Sequence, residues 1–342
     1  MGRSVRNDTT FLSSMDLQKL VSALRLPRAG LHNVLVLVGP TASGKTDVSI
    51  RLAEELGAEI VSADSRQLYK YMDIGTAKPS KDDRARVRHH LIDEFPPDAG
   101  VSAGGFGNLG RAVIADIVGR GRIPLVVGGS GLYVRSLIDG LFEGPGADDE
   151  FRRILEERWS AGEKNEILAE LRQVDPVTAD SIDPTKSRRV IRALEVYHIT
   201  GRPISEHHRE NKIAIPFQPY LFGLDWERKT LYARINRRCD EMIGRGLLDE
   251  VERLERMGYT DKLNALNTVG YREAFAYRRG EIGYTDMIRL FKQNSRRYAK
   301  RQMTWFRADE RIYWITTDET ISPADLAIPK AYAILSGVLP PL

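Results

Sequence analysis

Cysteine is nearly absent from this sequence. Cys239 is the single cysteine among 342 residues, so the chain can form neither an internal disulfide nor a cysteine-rich zinc site. This usage is typical of a reducing compartment. Long apolar runs are missing too: the first thirty residues contain no segment resembling a signal-peptide core, and no later run approaches the ~18 apolar residues of a membrane span. We therefore expect a cytoplasmic protein that does not enter the membrane.

A strong excess of charge of one sign is also absent. The 51 Lys and Arg residues are nearly balanced by 47 Asp and Glu residues, which leaves a formal charge of +4 at pH 7. A nucleic-acid partner would therefore have to be bound by a local basic surface rather than by the field of the whole protein. The hydrophobic fraction of 42% is typical of a globular protein, and the length suffices for one large domain or two modest ones.

The most informative stretch that is present runs from Val34 to Thr46. The unbroken apolar run 34–38 predicts a buried parallel strand, and residues 47–56 predict a helix. Between them, Gly39-x-x-x-x-Gly44-Lys45-Thr46 has the spacing of a P-loop. Glycines let backbone N–H groups turn inward around phosphate oxygens, while the lysine adds charge and the hydroxyl can hold Mg²⁺. The motif predicts a site for a di- or triphosphate without specifying the compound.

A second predicted strand, near residues 59–63, is followed by Asp64 and Ser65. Ligands of open α/β sheets lie at the carboxyl ends of the strands, so both residues should face the same crevice as the P-loop. Asp64 is then the leading candidate for a catalytic carboxylate. The alternative is that Asp64 only caps the next helix.

A third predicted strand, over 123–127, ends in Gly128-Gly129-Ser130-Gly131. A P-loop ATPase places an aspartate for Mg²⁺ at the end of such a strand, and no carboxylate follows here. The chain thus has a phosphate-binding loop without the usual arrangement for hydrolysing or transferring a γ-phosphoryl group. The glycines allow close backbone approach to a ligand, and Ser130 offers a hydroxyl to it.

The composition changes at residue 144, where helical patterns replace strand patterns until about residue 213. This insert is rich in arginine, and Arg188 and Arg192 are spaced to share one helix face. Such a face either binds a phosphate backbone or is merely solvated. A strand near 220–224 then returns the chain to the sheet. Residues 228–257 predict one or two helices, in which Arg234 and Arg238 lie one turn apart and face either the phosphate site or solvent. Arg238 is expected to face the phosphate site.

The predicted fold is therefore α/β, with a P-loop NTPase-like core of mostly parallel sheet flanked by helices, plus an all-helical insertion domain. We assign residues 1–30 to a poorly ordered N-terminal extension without a role and 31–143 to the first part of the core. Residues 144–213 form the helical insert, and 214–342 form the second part of the core. This last part carries basic C-terminal helices, including a cation-rich helix over 286–305 that suits RNA contact or core packing equally.

Several of these segments together resemble the tRNA dimethylallyltransferases, the enzymes that prenylate the adenosine next to the anticodon. The runs that carry the resemblance span nearly the whole chain in one consistent order: 39–46, 62–69, 72–79, 89–93, 126–133, 192–196 with Gly201, 269–272, and 299–302 with Thr304 and Trp305. The resemblance implies transfer of a dimethylallyl group from dimethylallyl diphosphate to the exocyclic amine of that adenosine. It explains the missing carboxylate, because the loop would hold the diphosphate of the donor rather than ATP.

The resemblance also implies roles for individual residues. The donor diphosphate is bound by Gly39, Pro40, Thr41, Ala42, Ser43, Gly44, Lys45 and Thr46, with the cofactor Mg²⁺ beside Thr46. Asp64 is the general base, and Lys45, Thr41 and Arg238 complete the catalytic group. The anticodon stem-loop of tRNA is contacted by Asp64, Ser65, Arg66, Gln67, Ser130, Arg188, Arg189, Val190, Ile191, Arg192, Asn267, Thr268, Val269, Gly270, Tyr271 and Arg272. We expect the enzyme to act as a monomer.

Departures from the family pattern are few: Ser130 stands where many members have Thr, Cys239 stands where an aromatic is common, and the C-terminal zinc finger of some eukaryotic members is absent. Three alternative functions remain open on the sequence. A small-molecule or nucleoside kinase using ATP would share the P-loop. A prenyltransferase acting on free adenine nucleotide would share the core but would not need the basic insert. A non-enzymatic RNA-binding module would leave the P-loop without a purpose.

Overall fold

The computed structural model describes residues 14–27, 29–141, 144–210 and 214–339. The strands are β1 (His32–Val38), β2 (Ala58–Ser62), β3 (His89–His90), β4 (Ile123–Gly128), β5 (Phe217–Trp226) and β6 (Tyr313–Thr317). The helices are α1 (Ser14–Arg25), α2 (Lys45–Leu56), α3 (Lys81–Arg86), α4 (Ala103–Gly119), α5 (Gly131–Arg135), α6 (Asp149–Ser160), α7 (Lys164–Val174), α8 (Pro176–Ser181), α9 (Ser187–Thr200), α10 (Ile204–Glu210), α11 (Arg228–Gly244), α12 (Leu247–Arg256), α13 (Tyr271–Arg278), α14 (Tyr284–Arg307) and α15 (Pro323–Val338). A π-helical turn, Ser136–Gly140, continues α5.

The six strands form one sheet in the order β3-β2-β4-β1-β5-β6. Every pairing between them is parallel, as the apolar strand patterns predicted. The strand before the P-loop, β1, lies in the interior of the sheet, with Val36 opposite Val126 of β4 on one side and Leu221 of β5 on the other. Its carboxyl end, and therefore the P-loop, is held by neighbours on both sides.

Two compact units make up the chain. The first consists of Met1–Val101, Phe106–Ile138 and Pro216–Leu342, and it contains the sheet. One of its apolar cores joins the sheet to α1, α2 and α15, and a second core lies among α11, α12, α13 and α14. The second unit, Ser102–Gly105 with Asp139–Ile215, is helical throughout its described residues and encloses an apolar core of its own.

The assignment of residues 1–30 to an extension without a structural role is wrong for Ser14–Arg25. These residues form α1, in which Leu20 and Leu24 are 5% and 2% exposed and belong to the main core. The buried amide of Asn33 donates to the carbonyl oxygens of Ala23, Leu24 and Leu26 at 3.0–3.2 Å. It thereby closes the C-terminal end of α1, whose last carbonyls have no partner within the helix. Residues 1–13, which fall in the same prediction, lie outside the described residues.

Three other segments are now defined. The predicted strand near 220–224 is a ten-residue strand, Phe217–Trp226. The stretch 228–257, predicted as one or two helices, forms two, α11 and α12, because Gly246 between them has a φ of +93°, in the left-handed region that favours glycine. The tail, which had no predicted structure, forms α15, with Leu335 fully buried. No helix among the described residues is long and apolar enough to cross a membrane.

Candidate functional site: a phosphate-binding pocket

The predicted P-loop connects the carboxyl end of β1 to the first turn of α2. Gly44 has a φ of +89°, a conformation that residues with a Cβ adopt rarely, and an added Cβ would lie 2.9 Å from Pro323. Within the described chain, no group accepts a hydrogen bond from the N–H groups of Ala42, Gly44, Lys45 or Thr46. These donors lie at the N-terminal end of a helix, so the loop offers an anion several N–H groups and a favourable dipole.

The Lys45 ammonium lies under this loop. It donates to the carbonyl oxygens of Gly39 at 3.0 Å and Pro40 at 2.7 Å. Burial, assisted by the nearby Arg238 cation, lowers the pKa of Lys45 to about 7, whereas the Asp64 carboxylate opposes the shift. An arriving diphosphate would favour the charged form, because it brings negative charge next to a partly desolvated ammonium.

A cavity of about 570 Å³ opens beside the loop. Six other segments line it: 64–67 after β2, the loop 75–78, Gly129 after β4, the region of α11 including Arg238, residues 268–269, and one face of α14. Its wall also has an apolar part that includes Ile235, Met242, Val269 and Phe291. The pocket thus combines phosphate-binding groups with a surface that suits a short hydrocarbon chain.

Asp64 borders this cavity. Its Oδ1 accepts hydrogen bonds from the N–H groups of Arg66 at 2.8 Å and Gln67 at 3.4 Å, so the carboxylate caps a turn that follows β2 instead of the helix that the alternative predicted. Oδ2 accepts no hydrogen bond from any described residue. The capping and catalytic interpretations of Asp64 are therefore compatible, because one oxygen holds the turn and the other is available to a ligand.

Arg238 also lines the cavity, as expected from its place on α11. Burial lowers the pKa of its guanidinium, and the Asp64 carboxylate opposes that shift. An arginine remains charged despite such a shift. A largely desolvated cation, a lysine of lowered pKa and a ring of N–H donors are therefore held around one volume.

Thr46 is the residue predicted to hold Mg²⁺. It is exposed, in the first turn of α2 at the cavity. The described residues include no group of three or more His, Cys, Asp or Glu side chains that could hold a metal ion. A magnesium ion beside Thr46 would take its other ligands from phosphate oxygens and water, which is how Mg²⁺ is commonly held. The residues present fit that arrangement.

Two of the predicted RNA contacts near Asp64 are used inside the protein. The Ser130 hydroxyl accepts from the Ser65 N–H at 3.1 Å and donates to the Ser65 hydroxyl at 3.2 Å. The Gln67 amide donates to the carbonyls of Thr76 and Ala77, both at 3.3 Å, and accepts from the Ser62 hydroxyl. Both side chains join loops at the carboxyl edge of the sheet, so their first role is to shape the pocket.

The residues of the predicted RNA-binding run 267–272 lie in different environments. Thr268 and Val269 line the cavity, and Asn267 and Arg272 are exposed. Gly270 has a φ of +93°, and its N–H donates to Glu273 at 2.7 Å. The side chain of Tyr271 is fully buried and donates its hydroxyl hydrogen to Glu250 at 2.6 Å, so in this conformation only the backbone of residue 271 could contact RNA.

The run 188–192 forms the first half of α9, in the helical unit. Arg188 and Arg189 are exposed, whereas Val190 and Ile191 are 0% and 3% exposed and belong to the core of the unit. Contact of those two apolar side chains with RNA is therefore excluded as long as this core stays closed. Arg192 donates to the buried carboxylate of Glu195 at 2.6 Å and to the carbonyl of Pro145 at 2.8 Å. It stabilises the unit rather than sharing a free basic face with Arg188.

Sequence reasoning missed four residues around the pocket. Glu250, with a fully buried side chain, accepts from the N–H groups of Asp73, Ile74 and Gly75 and so holds the loop that lines one wall. Gln302 joins two loops, accepting from Thr41 N–H at 2.9 Å and donating to the carbonyl of Gly129 at 2.8 Å. The two remaining residues, Arg234 and Trp226, contact the P-loop carbonyls. Two sequence signals were present: Gln302 lies in a run that carried the family resemblance, and Arg234 lies one helical turn before Arg238.

The fold and this pocket define the class of the protein: a P-loop α/β protein whose cavity joins an anion-binding loop to an acidic side chain and an apolar wall. The family model described as IPP transferase matches residues 67–309. The chain belongs to this family.

Named proteins are similar in sequence to this chain over most of its length. It is 46% identical over 293 residues to tRNA dimethylallyltransferase of Acetivibrio thermocellus, covering 84% of this chain and 93% of that protein. It is 47% identical over 290 residues to tRNA dimethylallyltransferase 2 of Geotalea uraniireducens, covering 84% and 94%.

Solved structures of similar proteins also match the fold of this chain. Full-length tRNA isopentenylpyrophosphate transferase from Bacillus halodurans is similar with a TM-score of 0.65 and 38% identity, over 89% of this chain and 96% of that one. A eukaryotic dimethylallyltransferase acting on tRNA matches with a TM-score of 0.74 and 28% identity, over 89% and 78%. Nothing in these matches supports the kinase alternative.

Proposed function

We propose that this protein transfers a dimethylallyl group from dimethylallyl diphosphate to the exocyclic amine of the adenosine adjacent to the anticodon in tRNA, releasing diphosphate. The observation that carries the proposal is the pocket itself. The P-loop N–H groups, Lys45 and Arg238 surround one side of a cavity that also contains the unpaired Oδ2 of Asp64 and the apolar wall. Membership of the IPP transferase family supports the same conclusion.

The loop side of the pocket suits the leaving group. As the allylic C–O bond breaks, negative charge grows on the departing diphosphate, and N–H donors and cations already in place stabilise it there. Mg²⁺ beside Thr46 would add to this stabilisation as a Lewis acid. The hydrocarbon part of the donor would lie against Ile235, Met242 and Phe291, away from water.

Asp64 suits the nucleophile. The exocyclic amine of adenine is a weak nucleophile because its lone pair is delocalised into the ring. Oδ2 can orient the amine by accepting one of its hydrogens, and can take that proton as the carbon–nitrogen bond forms. Oδ1 stays engaged with the N–H groups of Arg66 and Gln67, which fixes the direction of the carboxylate.

The acceptor base has to leave the stack of the anticodon loop to reach this pocket. The residues that we propose contact tRNA are Asp64, Ser65, Arg66, Thr268 and Val269 at the pocket, Asn267 and Arg272 near it, and Arg188 and Arg189 of α9. Exposed arginines suit contact with RNA phosphates. The proposed enzyme acts as a monomer in the cytoplasm, and its single cysteine, which is buried and forms no disulfide, agrees with that compartment.

The direct test is transfer of labelled dimethylallyl from its diphosphate to unmodified tRNA. Two tRNA transcripts are compared, one with adenosine and one with guanosine next to the anticodon. We expect label on the adenosine transcript alone, and only with Mg²⁺ present. Label on both transcripts would contradict the proposed acceptor, and ATP-dependent phosphorylation of a small molecule without any transfer would contradict the proposed reaction.

A further inference from the structure

The P-loop contains an alanine in an unfavourable backbone conformation. Ala42 has a φ of +63°, in the left-handed region, although it carries a Cβ. Such a conformation persists only where surrounding contacts hold it. Ala42 lies two residues before Gly44, for which the same region is favourable, so the loop contains two left-handed positions and only one has the residue suited to it.

Two side chains hold the carbonyl groups of this part of the loop. The Nε of Arg234, on α11, donates to the carbonyl oxygen of Ala42 at 3.0 Å. The indole N–H of Trp226, at the end of β5, donates to the carbonyl oxygen of Ser43 at 3.0 Å. The Arg234 guanidinium also lies 4.2 Å from the centre of the Trp226 ring. This stacking fixes the two donors relative to each other.

These hydrogen bonds determine where the N–H groups point. In a trans peptide the C=O and N–H groups point in opposite directions. Holding the Ser43 carbonyl against Trp226 therefore turns the Gly44 N–H away from Trp226, and no described residue accepts from that N–H. The Ala42 carbonyl, held by Arg234, fixes the preceding peptide in the same way, and the Ser43 N–H closes the loop onto the Pro40 carbonyl at 3.3 Å.

We propose that Arg234 is a positioning residue of the P-loop, which holds Ala42 in its left-handed conformation and, together with Trp226, keeps the Gly44 N–H aimed at the diphosphate. This inference rests on the proposed function only in naming the ligand. Arg234 also lines the cavity, but its Nε and the face of its guanidinium are held by Ala42 and Trp226, so we assign its role to the backbone of the loop. Arg238, which makes no such contact with the loop, remains the cation that faces the ligand.

A substitution at Ala42 distinguishes this role from direct contact with the ligand. Glycine adopts the left-handed conformation without strain. If Arg234 acts by holding that conformation, A42G should compensate for the loss of Arg234. If Arg234 instead contacts the diphosphate, glycine at position 42 cannot replace the missing cation.

The experiment measures binding of inorganic pyrophosphate with Mg²⁺ to the full chain by titration calorimetry. We expect R234M to weaken binding about tenfold, as for the loss of a hydrogen bond from a charged group. Adding A42G to R234M should restore about fivefold, whereas A42G in the wild-type background should bring no gain. The control is R228M, since Arg228 lies on the same helix with its guanidinium 5.2 Å from the Tyr232 ring but outside the pocket. It should bind pyrophosphate like the wild type.

Kinetics supply a second readout. R234M should raise the KM for dimethylallyl diphosphate and leave the KM for tRNA unchanged, and R234Q takes its place if R234M does not fold. Failure of A42G to improve binding in R234M, or equal losses in R228M and R234M, would overturn the inference. If the wild type transfers dimethylallyl but A42G does not restore binding in R234M, the inference is overturned and the proposed function is not. If A42G restores pyrophosphate binding in R234M but the wild type transfers no dimethylallyl group to tRNA, the inference is supported and the proposed function is overturned.

Discussion

The side-chain oxygen of Gln302 accepts a hydrogen bond from the backbone N–H of Thr41 at 2.9 Å, across 261 residues of sequence. Its amide nitrogen donates to the carbonyl of Gly129 at 2.8 Å. One buried side chain of α14 therefore joins the P-loop to the glycine-rich loop after β4. The loops belong to adjacent strands, β1 and β4, so the amide holds the two sides of the pocket floor together.

Gln302→Leu should therefore destabilise the protein as well as the pocket. The substitution leaves the Thr41 N–H and the Gly129 carbonyl without partners, which should lower the free energy of unfolding by about 2–4 kcal/mol. Urea denaturation measures this loss. Thr304→Val is the control, because the exposed Thr304 donates only to Lys300 of its own helix, and its effect should stay below ~0.5 kcal/mol. Equal effects of the two substitutions would contradict the bridging role.

Asp64→Asn separates the two roles of this side chain. Asparagine keeps an oxygen for the N–H groups of Arg66 and Gln67 but cannot accept a proton from the substrate amine. Single-turnover transfer should fall by about 10²-fold or more, the usual scale for a positioned base, while pyrophosphate still binds. Asp64→Ala, which also removes the hydrogen bonds to the turn, should weaken pyrophosphate binding in addition. Unchanged transfer by the asparagine variant would place the base elsewhere.

Lys45 predicts a pH dependence of stability. Its pKa is lowered to about 7 in the folded protein, whereas the unfolded chain has the ordinary lysine value. Between these two values the unfolded state binds more protons, so this group makes folding more favourable as the pH rises from about 7 toward 10. Below pH 7 the penalty for the buried charge is present in full.

The comparison that isolates this contribution is wild type against Lys45→Met. The methionine variant lacks the ammonium hydrogen bonds at every pH but has no charge to bury. Relative to this variant, the wild type should gain stability between pH 7 and pH 10 in thermal unfolding experiments without ligand. A difference that stayed constant across this range would show that the lysine is not desolvated.

Arg188 and Arg189 are the exposed arginines of the predicted RNA-binding run in α9. Replacing both with alanine should raise the KM for tRNA several-fold and reduce the slope of log K against log salt by roughly 0.7–0.9 for each phosphate that is no longer neutralised. The KM for the allylic diphosphate should not change. Arg172→Ala is the control, because Arg172 is equally exposed in the same unit and has only Asp180 as a partner, at 3.4 Å. Equal effects in the control would mean that only the overall charge matters.

The sequence predicted the parts of the site that depend on local spacing. The P-loop, the acidic residue after β2 and the glycine-rich end of β4 all follow from short motifs next to apolar strands. Parallel strands bring their carboxyl ends to one edge, so these motifs could be placed together from the sequence alone.

Residues that act over long distances in sequence could not be predicted in this way. Glu250 lies in a helix with three other acidic residues, and its spacing from Leu247 and Leu254 places it on the apolar face, but nothing local shows that it accepts from the loop 73–75. Arg192 and Arg188 have the spacing of one helix face, yet only Arg192 donates to Glu195 and Pro145. Tertiary packing alone separates these two arginines, because their charge and spacing are equivalent.

The helix α1 has a practical consequence for anyone shortening the chain. A protein trimmed to begin at residue 31, at the edge of the P-loop core, would lose Leu20 and Leu24 from the main core and leave the amide of Asn33 without the carbonyls that it caps. The strand that carries the P-loop would then lie beside an uncovered apolar surface. Such a surface promotes self-association during expression, so a minimal active fragment should retain α1.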